Sequence, residues 1–256
     1  MSSRARTLIA AVAVLALSPV TAQAQKGRDR DARSFAFSNW TLEARGGLAN
    51  FGRFLLEDVL DLNENFVGQR ELDASNSFVW GAGVSTTVLP RTALRLSFTR
   101  ASADLNYDDD TGTDSNALDL DDIGDISSNV ISLDVVRHIL SDRAKVRPYG
   151  GAGFAVAWWN LGENADQLVV AGTDNTLFKW GANALLGLQF RPAVRWAIQL
   201  EATTMTLGNP FTGKKSFLPT TGIIIDEPTR VRQTNYTLGI AYTFGRLRRP
   251  VQADDR

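Results

Sequence analysis

The segment Asn235-Tyr236-Thr237-Leu238-Gly239-Ile240-Ala241-Tyr242-Thr243-Phe244 decides how this chain folds. Tyr236, Leu238, Ile240, Tyr242 and Phe244 are large and apolar, whereas the residues between them are small or polar. A period of two marks a strand whose two faces meet different media. Here one face meets something oily and the other a tight, partly polar space. For a protein exported through a membrane, the oily medium can be lipid.

The other end of the chain predicts export. Arg4 and Arg6 precede an apolar run from Leu8 to Leu17, and Ala22-Gln23-Ala24 offers a small-x-small cleavage site, the three parts of a signal peptide over residues 1–24. That run is too short for a membrane-spanning helix, which needs about 20 residues. Losing Arg4 and Arg6 makes the formal charge of −1 two units more negative, so bulk attraction to nucleic acid is not expected. Cysteine is absent, so stability must come from packing or from the surrounding solvent rather than from disulfides. No later stretch is long and apolar enough for a helical span, leaving a soluble β protein or a closed membrane barrel.

Eight segments alternate over a length suited to a tilted transmembrane strand: 39–51, 76–89, 91–102, 128–140, 145–159, 177–191, 193–207 and 232–245. Long polar stretches at 52–75, 103–127, 160–176 and 208–231 separate them in alternation with tight turns near Pro90, Asp142 and Pro192. Short turns on one side and long loops on the other are the pattern of an outer-membrane barrel; a soluble up-and-down barrel is the alternative. The expected fold is therefore an all-β, eight-stranded antiparallel up-and-down transmembrane β-barrel over 39–245. A periplasmic segment at 25–38 and a short periplasmic tail at 246–256 flank it.

The two parities sort by chemistry. Trp40, Leu42, Ala44 and Leu48 alternate with Thr41, Glu43, Arg45 and Gly47, and Leu94, Leu96 and Phe98 with Arg95, Ser97 and Thr99. Ile131, Leu133 and Val135 alternate with Ser132 and Asp134, and Trp196, Ile198 and Leu200 with Arg195, Gln199 and Glu201. Trp40, Trp80, Trp158, Trp159, Trp180 and Trp196 all fall near strand ends, where an indole ring suits the membrane interface.

In this pattern the chain resembles the small eight-stranded outer-membrane β-barrels of Gram-negative bacteria, the superfamily of outer membrane protein A and outer membrane protein W. The closing strand carries the local match, with Thr237, Gly239, Tyr242 and Phe244 resembling the family's assembly signal, and Pro148 to Gly153 resembling its fifth strand. The resemblance implies insertion by the outer-membrane barrel assembly machinery and contact with outer-membrane lipid and lipopolysaccharide. It carries over no biochemical activity. Only Arg246 to Arg256 follow the signal, so a peptidoglycan-binding domain is not expected there.

Glu43, Arg45, Arg95, Asp134, Arg147, Lys179, Arg195 and Glu201 are the inward charges. A barrel of eight strands is just wide enough for side chains to fill, so these groups are expected to pair with one another. Arg95 with Asp134 is the first choice, and Glu43, Arg45 and Glu201 come next, meeting across the small residues of the last strand. Such a cluster plugs the lumen or, if partners exchange, gates a narrow ion path. His138, the only histidine, falls near a periplasmic turn, outside any His-x-Ser arrangement and at the wrong end for an extracellular-rim protease, so a nucleophile would lack its base, which argues against hydrolysis. The acidic stretch from Asp104 to Asp125 gives Asp108, Asp110 and Asp114 as weak Ca²⁺ candidates; the simpler reading is a solvated loop. Phe54 to Leu60 reads as one or two turns of amphipathic helix, as packing across the mouth, or as strand extension. No cofactor is expected. The functional expectation is a non-enzymatic barrel with a structural or surface role, ahead of a narrow channel for small solutes or hydrophobic molecules and, more remotely, a lipid-modifying enzyme. The extracellular ligand is left open.

Overall fold

Residues alternating between large apolar and small or polar side chains form strands, and every helix-or-strand element among the described residues is a strand. The computed structural model describes residues 39–60, 66–110, 120–141, 144–162, 176–211, 222–226 and 228–245. In chain order the strands are β1 (Asn39–Phe51), β2 (Leu55–Leu60), β3 (Phe66–Ala74), β4 (Ser77–Leu89), β5 (Thr92–Asp110), β6 (Leu120–His138), β7 (Val146–Leu161), β8 (Thr176–Phe190), β9 (Trp196–Gly208), β10 (Gly222–Asp226) and β11 (Arg230–Gly245). The leader, both terminal segments and Asp114 lie outside the described residues.

Eight of these strands form a closed antiparallel barrel in the order β5-β4-β1-β11-β9-β8-β7-β6, with β6 returning to β5. The first strand pairs along its whole length with the last, from Asn39 opposite Gly245 to Phe51 opposite Gln233. Closure leaves no sheet edge in the wall, which hydrocarbon requires because it offers backbone groups no partner. At one end, the turn end, neighbouring strands join through short links. The tightest is Pro90-Arg91, where Arg91 takes a left-handed φ of 63°, a conformation that non-glycine residues seldom adopt. The opposite end is the loop end.

At the loop end the wall continues where the sequence suggested loops. β2 pairs with β3, β3 pairs with the outer part of β5 from Gln69 opposite Asp110 to Ala74 opposite Leu105, and β10 pairs with β2. Residues 55–60 are therefore strand, not helix. β5 runs on to Asp110 and β6 starts at Leu120, so much of the expected 103–127 loop is sheet, and Asp108 and Asp110 lie on β5. The physical reason is visible in the pattern: Ala101, Ala103 and Leu105 stay buried inside while Ser102 and Asp104 face out. Beyond the bilayer that outer face meets water, so polar residues there do not interrupt a strand.

The outer wall is apolar through its middle. Trp180 is 78% exposed, Phe154 77% and Leu186 72%, a surface that would drive aggregation in water and is satisfied by acyl chains. The protein's own core lies inside the barrel.

Candidate functional site

Inward parity brings five charged side chains from four strands into one buried cluster. Arg95 on β5 is its centre: Nη1 and Nη2 donate to the two carboxylate oxygens of Glu201 at 2.6 and 3.2 Å. Nε and Nη2 of the same side chain reach Asp134 Oδ2 at 3.3 Å each, and Glu43 Oε2 lies 3.7 Å from Nη1. Arg45 Nη1 donates to Glu201 Oε1 at 2.7 Å. Neutral donors complete the shell: Tyr149 Oη and Thr203 Oγ1 to Glu201 at 3.0 and 2.9 Å, Asn183 Nδ2 to Asp134 at 2.7 Å, and Ser85 Oγ to Glu43 at 3.2 Å. Buried carboxylates and guanidinium groups persist together because each removes the cost of the other's desolvation.

Room for these long side chains comes from glycine. Gly83 stands opposite Glu43, Gly81 and Gly239 on either side of Arg45, Gly153 opposite Asp134, and Gly187 opposite Glu201. A Cβ on Gly239 would lie 2.8 Å from the Ala44 carbonyl and 3.0 Å from Arg45 Cβ. Its absence lets Arg45 cross β11 and reach Glu201 on β9. A Cβ on Gly187 would collide with the Tyr149 ring. The network is thus written twice in the sequence, as inward charges and as the glycines facing them.

Above the cluster, toward the loop end, lies a neutral polar layer in which Ser128 donates to Gln233 and Gln233 to Asn235, each at 3.0 Å. A cavity of about 10 Å³ between the two layers, lined by Arg45, Arg95, Asn183, Asn235 and Thr237 among others, has room for about one water.

Beyond this the lumen turns apolar. Trp159, fully buried, meets Phe51 and Phe54 at centroid distances of 6.1 and 5.9 Å, and Phe54 meets Phe211 at 5.5 Å. Leu72, Leu105, Ile126, Leu207 and Val231 surround them. One side chain fastens this lid. Asn209 is fully buried; its Nδ2 donates to the carbonyls of Phe54 and Pro228 at 2.8 Å each, and its Oδ1 accepts from Phe211 N at 2.9 Å. It ties together the β1–β2 joint, the end of β9 and the approach to β11.

The structure brings together Glu43, Arg45, Arg95, Asp134 and Glu201. Arg147 is buried nearer the turn end, donating to Gln189 at 3.4 Å. Lys179 is half-buried near the loop end and has no ion-pair partner among the described residues. Arg195 is not in the lumen. β9 begins one residue later, so Arg195 falls in the exposed β8–β9 link and reaches Tyr242 Oη at 3.2 Å. Trp40, Trp80, Trp158, Trp180 and Trp196 point to the outer wall. Trp159 does not, because it follows Trp158 on a strand and neighbours on a strand face opposite sides. Thr237 and Gly239 face the lumen, whereas Tyr242 and Phe244 face outward, with Tyr242 against Trp196 at 4.9 Å. No group of metal-ligating side chains occurs among the described residues. Packing across the mouth was one reading of the stretch that begins at Phe54; sequence reasoning missed Asn209 and the part played by Trp159 and Phe211, for which Trp158-Trp159 and the buried-parity run Ala101, Ala103, Leu105 were the available signals.

A closed antiparallel barrel with an apolar outer wall and a charged, filled lumen is an integral outer-membrane protein of the small eight-stranded class. The chain belongs to the outer membrane protein β-barrel domain family, which matches residues 8–244. Among solved structures it is similar to Neisserial surface protein A, with 12% identity, TM-score 0.50 and coverage of 80% of this chain and 97% of that one. It is also similar to the outer membrane protein OprG from Pseudomonas aeruginosa, with 15% identity, TM-score 0.51 and coverage of 82% and 99%. At these identities the likeness speaks for the fold alone. No curated protein matches the chain in sequence.

Proposed function

We infer that this protein is a non-enzymatic outer-membrane barrel with a structural or surface-interaction role. The observation that carries this reading is a lumen obstructed twice, by the Arg95-centred charge cluster and by the Trp159–Phe54–Phe211 lid. A channel for small solutes or hydrophobic molecules would need both tiers to move. A lipid-modifying enzyme needs a nucleophile beside a base, and His138 instead packs on Tyr149 at 5.5 Å near the turn end. In this reading residues 1–24 direct export, both termini face the periplasm and the loop end faces outward. The assembly machinery reads the β11 residues Thr237, Gly239, Tyr242 and Phe244, two of which project where lipid or another strand meets them.

Planar-bilayer recording tests it. The expected result is a silent bilayer for the wild-type protein and for Arg95→Ala, because the apolar tier still closes the path. Discrete wild-type openings whose conductance changes in Arg95→Ala or Glu43→Ala would replace this reading with a channel. Unchanged lipid A mass spectra on overexpression are expected, and a new lipid A species would revive the enzyme.

A further inference from the structure

One row of side chains on the outer wall breaks the apolar pattern. Register places Trp80 on β4 beside Arg100 on β5, Arg100 beside Asn129 on β6, and Asn129 beside Trp158 on β7. All four have outward parity. Adjacent strands are about 4.8 Å apart, so the row spans roughly 14 Å. Phe98, next along β5 toward the turn end, supports both indoles at centroid distances of 5.5 and 6.0 Å. Arg100 is exposed and has neither an ion pair nor a hydrogen bond among the described residues. Asn129 is only 4% exposed and its side chain has no hydrogen bond among the described residues. The nearest outward acids on these two strands, Asp104 and Asp125, stand four residues further toward the loop end.

An unpaired guanidinium on a lipid-facing wall loses hydration unless an anion meets it. Only Leu94, Leu96 and Phe98 precede it as outward apolar residues on β5, so it stands where the hydrocarbon gives way to headgroups, the level that the flanking tryptophans also favour. The row combines the planar fork of Arg100, the Asn129 amide and two indole N–H groups, and contains no acid. That donor set suits a phosphate; an ammonium headgroup would find only the indole faces, with no acid in the row and a guanidinium of its own sign between them. Directly below, half-buried Phe98 with exposed Ile131, and Leu96 with Leu133, both exposed, form apolar rows running toward the turn end, as acyl chains would.

We propose that Trp80, Arg100, Asn129 and Trp158 form a site for the phosphate of an anionic lipid in the leaflet at the loop end, with its acyl chains lying over Phe98, Leu96, Ile131 and Leu133. The site rests on the outer-membrane reading above but not on whether the lumen conducts. A pore in bilayer recordings would leave it intact.

The test uses the full-length protein in phosphatidylcholine nanodiscs doped with bisphosphorylated lipid A or with its dephosphorylated form. Lipid retained on the protein is counted by native mass spectrometry. Wild type is expected to retain the phosphorylated lipid in preference, and Arg100→Ala to lose about tenfold of that retention. Arg100→Lys should keep part of it, because a point charge remains without the fork. Arg232→Ala, an exposed outward arginine on β11, should match wild type. Folding of each variant is checked by far-UV circular dichroism and by the mobility shift between unheated and heated samples. If Arg100→Ala does not fold, Arg100→Gln and Trp80→Leu carry the same prediction. Equal retention of the two lipids by wild type, or wild-type retention by a folded Arg100 variant, would overturn the proposal. So would full displacement by millimolar inorganic phosphate, which would mark a site for the free anion.

Discussion

Replacing Arg95 with methionine removes the hub of the lumen while keeping much of its volume. Glu201 would lose two donated hydrogen bonds, Asp134 two more, and Glu43 its nearest cation. Arg45 would be the only guanidinium left on three carboxylates. The Arg95 side chain is 3% exposed, so water cannot take its place without opening the barrel. Taking one partner from a buried ion pair costs about 3–5 kcal/mol, two to nearly four decades in the folding constant. Removing the negative partners as well, in Arg95→Met/Asp134→Asn/Glu201→Gln, should restore most of that loss, because a neutral lumen leaves few charges stranded. Urea titration in phospholipid vesicles, followed by tryptophan fluorescence, reads both. A single variant within about 1 kcal/mol of wild type, or a triple variant no better than the single one, would refute the argument that mutual compensation holds the cluster in place.

Vesicles containing brominated acyl chains should quench the outward tryptophans Trp40, Trp80, Trp158, Trp180 and Trp196 and spare Trp159; a single-tryptophan variant retaining only Trp159 that is quenched as strongly as one retaining Trp180 would contradict the lumen assignment. Asn209→Ala leaves two carbonyls and one amide without their partner, at about 1–3 kcal/mol for each group stranded, and hydrogen exchange should quicken at Phe54 and Phe211 before it does in β7 or β8. Gly239→Val places side-chain atoms where Arg45 crosses and should cost upwards of about 2 kcal/mol in the same urea assay, whereas Gly46→Ala, whose added Cβ makes only ordinary contacts, with Phe78 ring atoms at 3.4 and 3.8 Å and the Val79 carbonyl at 3.7 Å, should stay near wild type. Trypsin applied to intact cells should spare the links containing Arg91 and Arg191 and cut only among the loop-end connections; cleavage at either link would reverse the orientation.

The barrel was legible in the sequence because hydrocarbon imposes a rule with period two, and β1, β9 and β11 obey it almost residue by residue. Where that rule stops, legibility drops. The outer parts of β5 and β6 have one face in water, so Ser102, Asp104 and Asp125 disguise a strand whose inner side, Ala101, Ala103, Leu105 and Ile126, never breaks step. Arg195 was assigned by starting β9 at residue 193, three residues too early, in a link where parity has no meaning. Inward parity and strand order pointed to Glu43, Arg45, Arg95, Asp134 and Glu201, but gave no reason to set Arg147 or Lys179 apart from them. Whether Arg147 joins Arg95 depends on height along the barrel, which follows from strand register and not from alternation. The rest of the lid was hidden for another reason: Phe211 lies outside the strands, and Asn209 gathers its backbone and that of Phe54 from distant parts of the chain.

The glycines opposite the lumen charges carry an evolutionary consequence. Glu43, Arg45, Asp134 and Glu201 each occupy space that a facing glycine has given up, so neither position of such a pair can drift by itself. A side chain at Gly81 or Gly239 would press on Arg45 as well as on the backbone of the neighbouring strand, and shortening Arg45 in response would deprive Glu201 of a donor. Descendants of this sequence should therefore change their lumen in blocks, exchanging whole sets of facing residues at once, while the acyl-facing side, where one large apolar residue serves as well as another, is free to diverge singly.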